Sequence, residues 1–98
     1  MTAHLTPRAL GEAERARDWW RAFRPAAPDL FEIELAEVLR RISAFPGAGS
    51  PYSRDESGLV IRRVLLPGTL NHVYYAVENG EVVVLSIWGA LLESGPGL

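Results

Sequence analysis

The sequence predicts an α+β fold in which an antiparallel helical hairpin packs on a small twisted, mainly antiparallel sheet, in the order β-α-α-β-β-β. Three observations predict it. Apolar residues recur at helical spacing over two early segments, the second half turns to β-branched runs, and Asn79-Gly80 separates two such runs. Ninety-eight residues suffice for one core, so a single domain over 1–98 is expected. The chain has no cysteine, which excludes disulfides and thiolate metal sites and leaves packing to hold the core.

The opening residues suggest a short leading strand around Ala3–Leu5. Thr6 followed by Pro7 then makes a helix start, because Thr can accept from an orphan N–H and Pro lacks only a donor that the first turn does not use. Ala9, Ala13, Ala16, Trp20 and Phe23 form the apolar seam of a helix from Pro7 to Phe23, with Glu12/Arg15 and Glu14/Arg17 on the wetter side. Pro25 and Pro28 end it. Asp29 and Glu32 have the spacing of a capping box, and Phe31, Leu35, Val38, Ile42 and Phe45 make the buried stripe of a second helix, with Glu37 and Arg41 paired on its exposed side. In "FPGAGSPYSRDESG", Pro46, Gly47, Gly49, Pro51 and Gly58 argue for one long loop. "LVIRRVLLP" reads as a strand ending at Pro67, and "NHVYYAVE" and "EVVVLSIW" as the arms of a hairpin.

With Asn79-Gly80 as the turn, Glu78 faces Glu81, Val77 faces Val82, Ala76 faces Val83, Tyr75 faces Val84 and Tyr74 faces Leu85. One face then carries Val73, Tyr75, Val77, Val82, Val84 and Ser86, and the other His72, Tyr74, Ala76, Val83, Leu85 and Ile87. Neither face alternates with polar residues, so both need cover, and two helices supply only one layer. The C-terminal "GALLESGPGL" folding back, a second copy of the chain or a different protein are the three candidates for the other, with Leu91 and Leu92 closing the core in the first case.

Net charge is −2, which argues against broad nucleic-acid binding through phosphate neutralisation. All ten cationic side chains are arginines at or before Arg63, whereas residues 64–98 carry only Glu78, Glu81 and Glu93. No basic segment followed by an apolar run opens the chain, and Ser86 and Gly89 interrupt Val82–Leu92; a cytoplasmic protein without a membrane span is the expectation. No phosphate-cradling glycine loop, metal-spaced ligand set or nucleophile elbow occurs, and no cofactor is expected.

The helical hairpin, the break at Phe45, Pro46 and Gly49, Arg62-Arg63 on a strand, the paired Tyr74-Tyr75 and the Val-rich last strand together resemble the RelE/ParE superfamily of toxins from type II toxin–antitoxin pairs, the ParE-like branch most of all. The resemblance covers nearly the whole chain. It implies one twisted sheet behind two antiparallel helices, and a cognate antitoxin that wraps the toxin in a hetero-oligomer and covers apolar surface. ParE-like members bind DNA gyrase and stall its cleaved-DNA intermediate, which requires a protein-binding surface. RelE-like members cleave ribosome-bound mRNA. On that alternative, Arg62 and Arg63 are candidates for transition-state charge, and His72, Tyr74 and Tyr75 for proton transfer. The family's usual ending, a Trp-His-x-Arg-Arg stretch, is replaced here by Trp88-Gly89-Ala90-Leu91-Leu92, which weakens the ribonuclease reading and raises a third, an inactivated toxin that binds only antitoxin. Candidates for partner contact are Trp19, Trp20, Tyr74, Leu85, Ile87, Trp88, Leu91 and Leu92.

Overall fold

The computed structural model describes residues Met1–Leu98. Its elements are β1 (Ala3–Leu5), α1 (Pro7–Phe23), α2 (Leu30–Ala44), β2 (Ser50–Arg54), β3 (Val60–Leu66), β4 (Asn71–Glu78) and β5 (Glu81–Gly89). One sheet runs β1-β5-β4-β3-β2, with β1 parallel to β5 and every other pair antiparallel. This is the predicted α+β architecture with one strand more. β2 lies within the stretch expected to be a loop, because Pro51 sits on an edge strand, where a missing donor breaks no interior ladder, and a bulge between Pro51 and Ser53 absorbs the irregularity.

Both ends of α1 match the reading. Thr6 Oγ1 accepts from Ala9 N at 3.1 Å and Pro7 opens the helix. Ala9 and Ala13 are buried against β5 side chains, and Ala16 and Trp20 extend the contact. Three expectations fail locally. Phe23 and Phe45 end their helices in solvent instead of joining the seams. The capping box does not form, because Asp29 and Glu32 both turn to Arg21 on α1, Asp29 at 3.6 Å. Glu37 meets Arg40 at 3.8 Å rather than Arg41.

The hairpin register holds from Glu78↔Glu81 through Tyr75↔Val84, and then a bulge sets Tyr74 opposite Ser86 instead of Leu85. The extra residue shifts everything beyond it by one position. Ile87, expected on the face with Tyr74, therefore pairs with Val73 and is 4 % exposed in the core with Phe31, Ile42, Leu66, Tyr75 and Val84. Glu12 plugs the bulge. Its Oε1 accepts from Ser86 Oγ at 2.8 Å and from Ile87 N at 3.2 Å, while Arg8 lies 3.5 Å from its other oxygen. Glu12 thus leaves the wetter side of α1, where helical spacing alone placed it, because two donors at the bulge need an acceptor.

The C-terminal tail supplies cover for the second face. Trp88 Nε1 donates to Ser94 O at 2.8 Å, Arg8 Nη2 donates to Pro96 O, and Pro96 is buried. Leu91 and Leu92, candidates either to close the core or to meet a partner, do not close the core and point outward at 81 % and 59 % exposure.

Candidate functional site

At the end of β5 the chain turns sharply. Ala90 N donates to Leu70 O at 2.8 Å, extending the ladder toward the β3–β4 turn, and Leu92 N donates to Gly89 O at 3.3 Å. The departure Gly89-Ala90-Leu91-Leu92 is therefore a turn that leaves two leucines beside the last turns of α1. Between them lies a cavity of about 640 Å³ walled by Ala16, Trp19, Trp20 and Arg24 on one side, Gly68–Asn71 on the second, and Gly89, Leu91 and Leu92 on the third.

Each wall is held from behind. Trp20 Nε1 donates to Ala27 O at 2.7 Å, which fixes the indole and ties α1 to the connection that follows it. Trp19 is half-exposed and stacks obliquely on Phe23 at 5.1 Å. The Arg24 guanidinium lies 5.5 Å from the Trp19 ring and 6.0 Å from that of Trp20, within cation–π range, and makes no ion pair. In the second wall Leu70 holds φ at 59°, which aims an apolar side chain outward from a turn. Glu34 on α2 fixes that turn by accepting from Gly68 N at 2.6 Å and from Thr69 N and Oγ1 at 3.0 and 2.9 Å. The result is an apolar trough suited to an apolar segment that brings a carboxylate, with one cation at its rim that has no carboxylate partner and whose Nη1 donates to Phe23 O at 3.0 Å.

Four of the partner-contact candidates, Trp19, Trp20, Leu91 and Leu92, meet here. The other four do not. Tyr74 and Ile87 are buried, and Leu85 and Trp88 are part-buried along β5 away from this cavity. Arg24 and Leu70 were not picked out from the sequence. An apolar residue inside the turn Gly68-Thr69-Leu70-Asn71 was the visible signal for the second.

The catalytic candidates divide between the two faces of the sheet. Arg62 and Tyr75 serve the loop after α2: Arg62 Nη1 donates to Gly49 O at 2.9 Å, and the Tyr75 hydroxyl donates to Pro46 O at 2.7 Å and accepts from Gly49 N at 2.8 Å. Tyr75 is fully buried and both bonding directions of its hydroxyl are used. On the other face Arg63 lies over Tyr52 at 5.2 Å, and Tyr52 and His72 meet the Tyr74 ring edge-on at 4.8 and 5.8 Å. Partial burial, reinforced by the Arg63 charge, lowers the His72 pKa below 6.5 and keeps the imidazole neutral at neutral pH. Tyr74 is 3 % exposed beneath Tyr52. No group of three or more His, Cys, Asp or Glu side chains could hold a metal, and no helix is long and apolar enough to cross a membrane.

A chain in the solved chromosomal ParDE TA system from P. aeruginosa matches this one with a TM-score of 0.65, over 91% of this chain and 95% of that chain, at 17% sequence identity. The two chains share one α+β fold, two helices on a five-stranded mixed sheet. No family model matches the chain, and no curated protein matches it. The shared fold accounts for the order of helices and strands on which the trough is built.

Proposed function

We propose that this chain is the toxin of a type II toxin–antitoxin pair, neutralised by a cognate antitoxin in a hetero-oligomer, and that it acts by binding and poisoning DNA gyrase. The observation that carries the reading is the open apolar trough of Trp19, Trp20, Leu70, Leu91 and Leu92 on a ParE-like fold. A surface of this kind serves protein contact and no bond chemistry, which favours a poison that holds its target over an enzyme that turns over. Gyrase as the target rests on the ParE-like character of the sequence.

The test is purified protein with gyrase and supercoiled plasmid, scored for linear DNA after detergent and protease. Dose-dependent linear product is expected. Its absence, with folded protein that still binds the antitoxin from the neighbouring reading frame, overturns gyrase as the target and leaves the antitoxin partnership standing. The ribonuclease alternative loses Tyr75, whose hydroxyl is fully engaged, and keeps Arg62, Arg63 and His72, all part-buried.

A further inference from the structure

The tail Ser94-Gly95-Pro96-Gly97-Leu98 behaves as a ligand of its own chain. Its two anchoring carbonyls are read by side chains from different elements: Ser94 O by the Trp88 indole of β5, and Pro96 O by Arg8 in the first turn of α1. The Arg8 guanidinium also lies 5.9 Å from the Trp88 ring. Pro96 is buried although the residues on both sides of it are exposed. Two glycines flank it in the seated conformation. A Cβ on Gly95 would stand 2.5 Å from the Tyr52 hydroxyl, and Gly97 holds φ at +75°.

These are the parts of a proline-peptide groove: an aromatic floor, donors for two alternate carbonyls, Ser94 O and Pro96 O, and one slot for a residue whose φ is set in advance and so loses little freedom on docking. Yet the tail is fastened by few bonds, and each residue it orders costs backbone entropy, so the seated and released forms should exchange. We propose that the Tyr52–Trp88–Arg8 shelf is a docking site for glycine–proline peptide, occupied in the free chain by residues Ser94–Leu98 as a detachable strap. Release of the strap uncovers Tyr52 and Trp88 next to Arg63 and His72, on the face remote from the α1–α2 layer. The proposal does not depend on the gyrase or antitoxin reading.

The test follows the Trp88 indole N–H by NMR in the full chain and in Gly95→Val, with Gly97→Val as a second release variant and core methyl signals as the check of folding. In the unaltered chain this proton should exchange with solvent about tenfold more slowly than in either variant, the factor one net hydrogen bond supplies. Added pentapeptide SGPGL should then shift the Trp88 indole and slow its exchange in the variants, leave the unaltered chain unchanged, and lose its effect when its proline is replaced by alanine. Three results would overturn the proposal: equal exchange in the unaltered chain and a folded variant, an equal response of both to the peptide, or no response of a folded variant to it.

Discussion

On one face of the sheet Phe31, Val38 and Ile42 of α2 and the alanines of α1 pack over Val64, Val73, Tyr75, Val84 and Ile87, whereas on the other Tyr52 covers Tyr74 and the tail meets Tyr52 and Trp88. The same strands build both. The first face is closed by side chains that have nowhere else to go, since burial of each large apolar group contributes about 1.5–3 kcal/mol and the helices cannot lift singly. At its tail contacts the second is held by two carbonyl hydrogen bonds and one proline, and Tyr52, Arg63, His72 and Trp88 stay part-exposed. The tightly packed side chains are concentrated on one face, and exposed apolar groups gather in the trough at the strand ends.

Substitutions should separate the two. Phe31→Ala, at the centre of the helix-covered face, should cost about 3–5 kcal/mol in urea unfolding, and a loss below about 1 kcal/mol would show that face to be loosely packed. Tyr75→Phe should cost about 2 kcal/mol, because it strands the buried N–H of Gly49 while leaving the ring in place. Leu91→Ser with Leu92→Ser should leave the unfolding free energy from urea titration within about 0.5 kcal/mol of the unaltered chain. The same pair should lower antitoxin affinity at least about tenfold, measured by calorimetry; an unchanged affinity would remove the trough from the contact.

The smallest effect expected is on pH. Because the folded pKa of His72 lies below its ordinary 6.5, the neutral imidazole favours the fold; that contribution is present above pH 6.5 and is lost as pH falls through the folded value. His72→Gln should therefore flatten part of the fall in urea midpoint between pH 7.5 and 5. An identical fall in both chains would show that the imidazole is not coupled to folding.

Features set by local chemistry were legible in the sequence. Thr6-Pro7 placed the start of α1, Asn79-Gly80 placed the hairpin, and even the three-residue β1 could be read. Features set by distant partners were not. Nothing local in "SPYSR" announces a strand, since β2 exists only because Arg62 and Arg63 offer it a neighbour. The bulge at Tyr74 moved Ile87 across the sheet, and the acceptor that makes it tolerable is Glu12, more than seventy residues away. In the same way Trp19, Trp20, Leu91 and Leu92 could each be suspected alone, but their convergence on one cavity depends on how β5 ends.

The Glu34 clamp on the β3–β4 turn has a bearing on how mutational scans of this molecule should be interpreted. Glu34 lies on α2, outside the trough, yet its carboxylate alone holds the Gly68 and Thr69 amides that set the direction of Leu70. A Glu34 substitution that frees the turn would score in a selection as the loss of a contact residue, with the chain still folded and no atom of Glu34 ever meeting the partner. Escape variants gathered at α2 would then trace the hinge of the binding surface rather than its footprint.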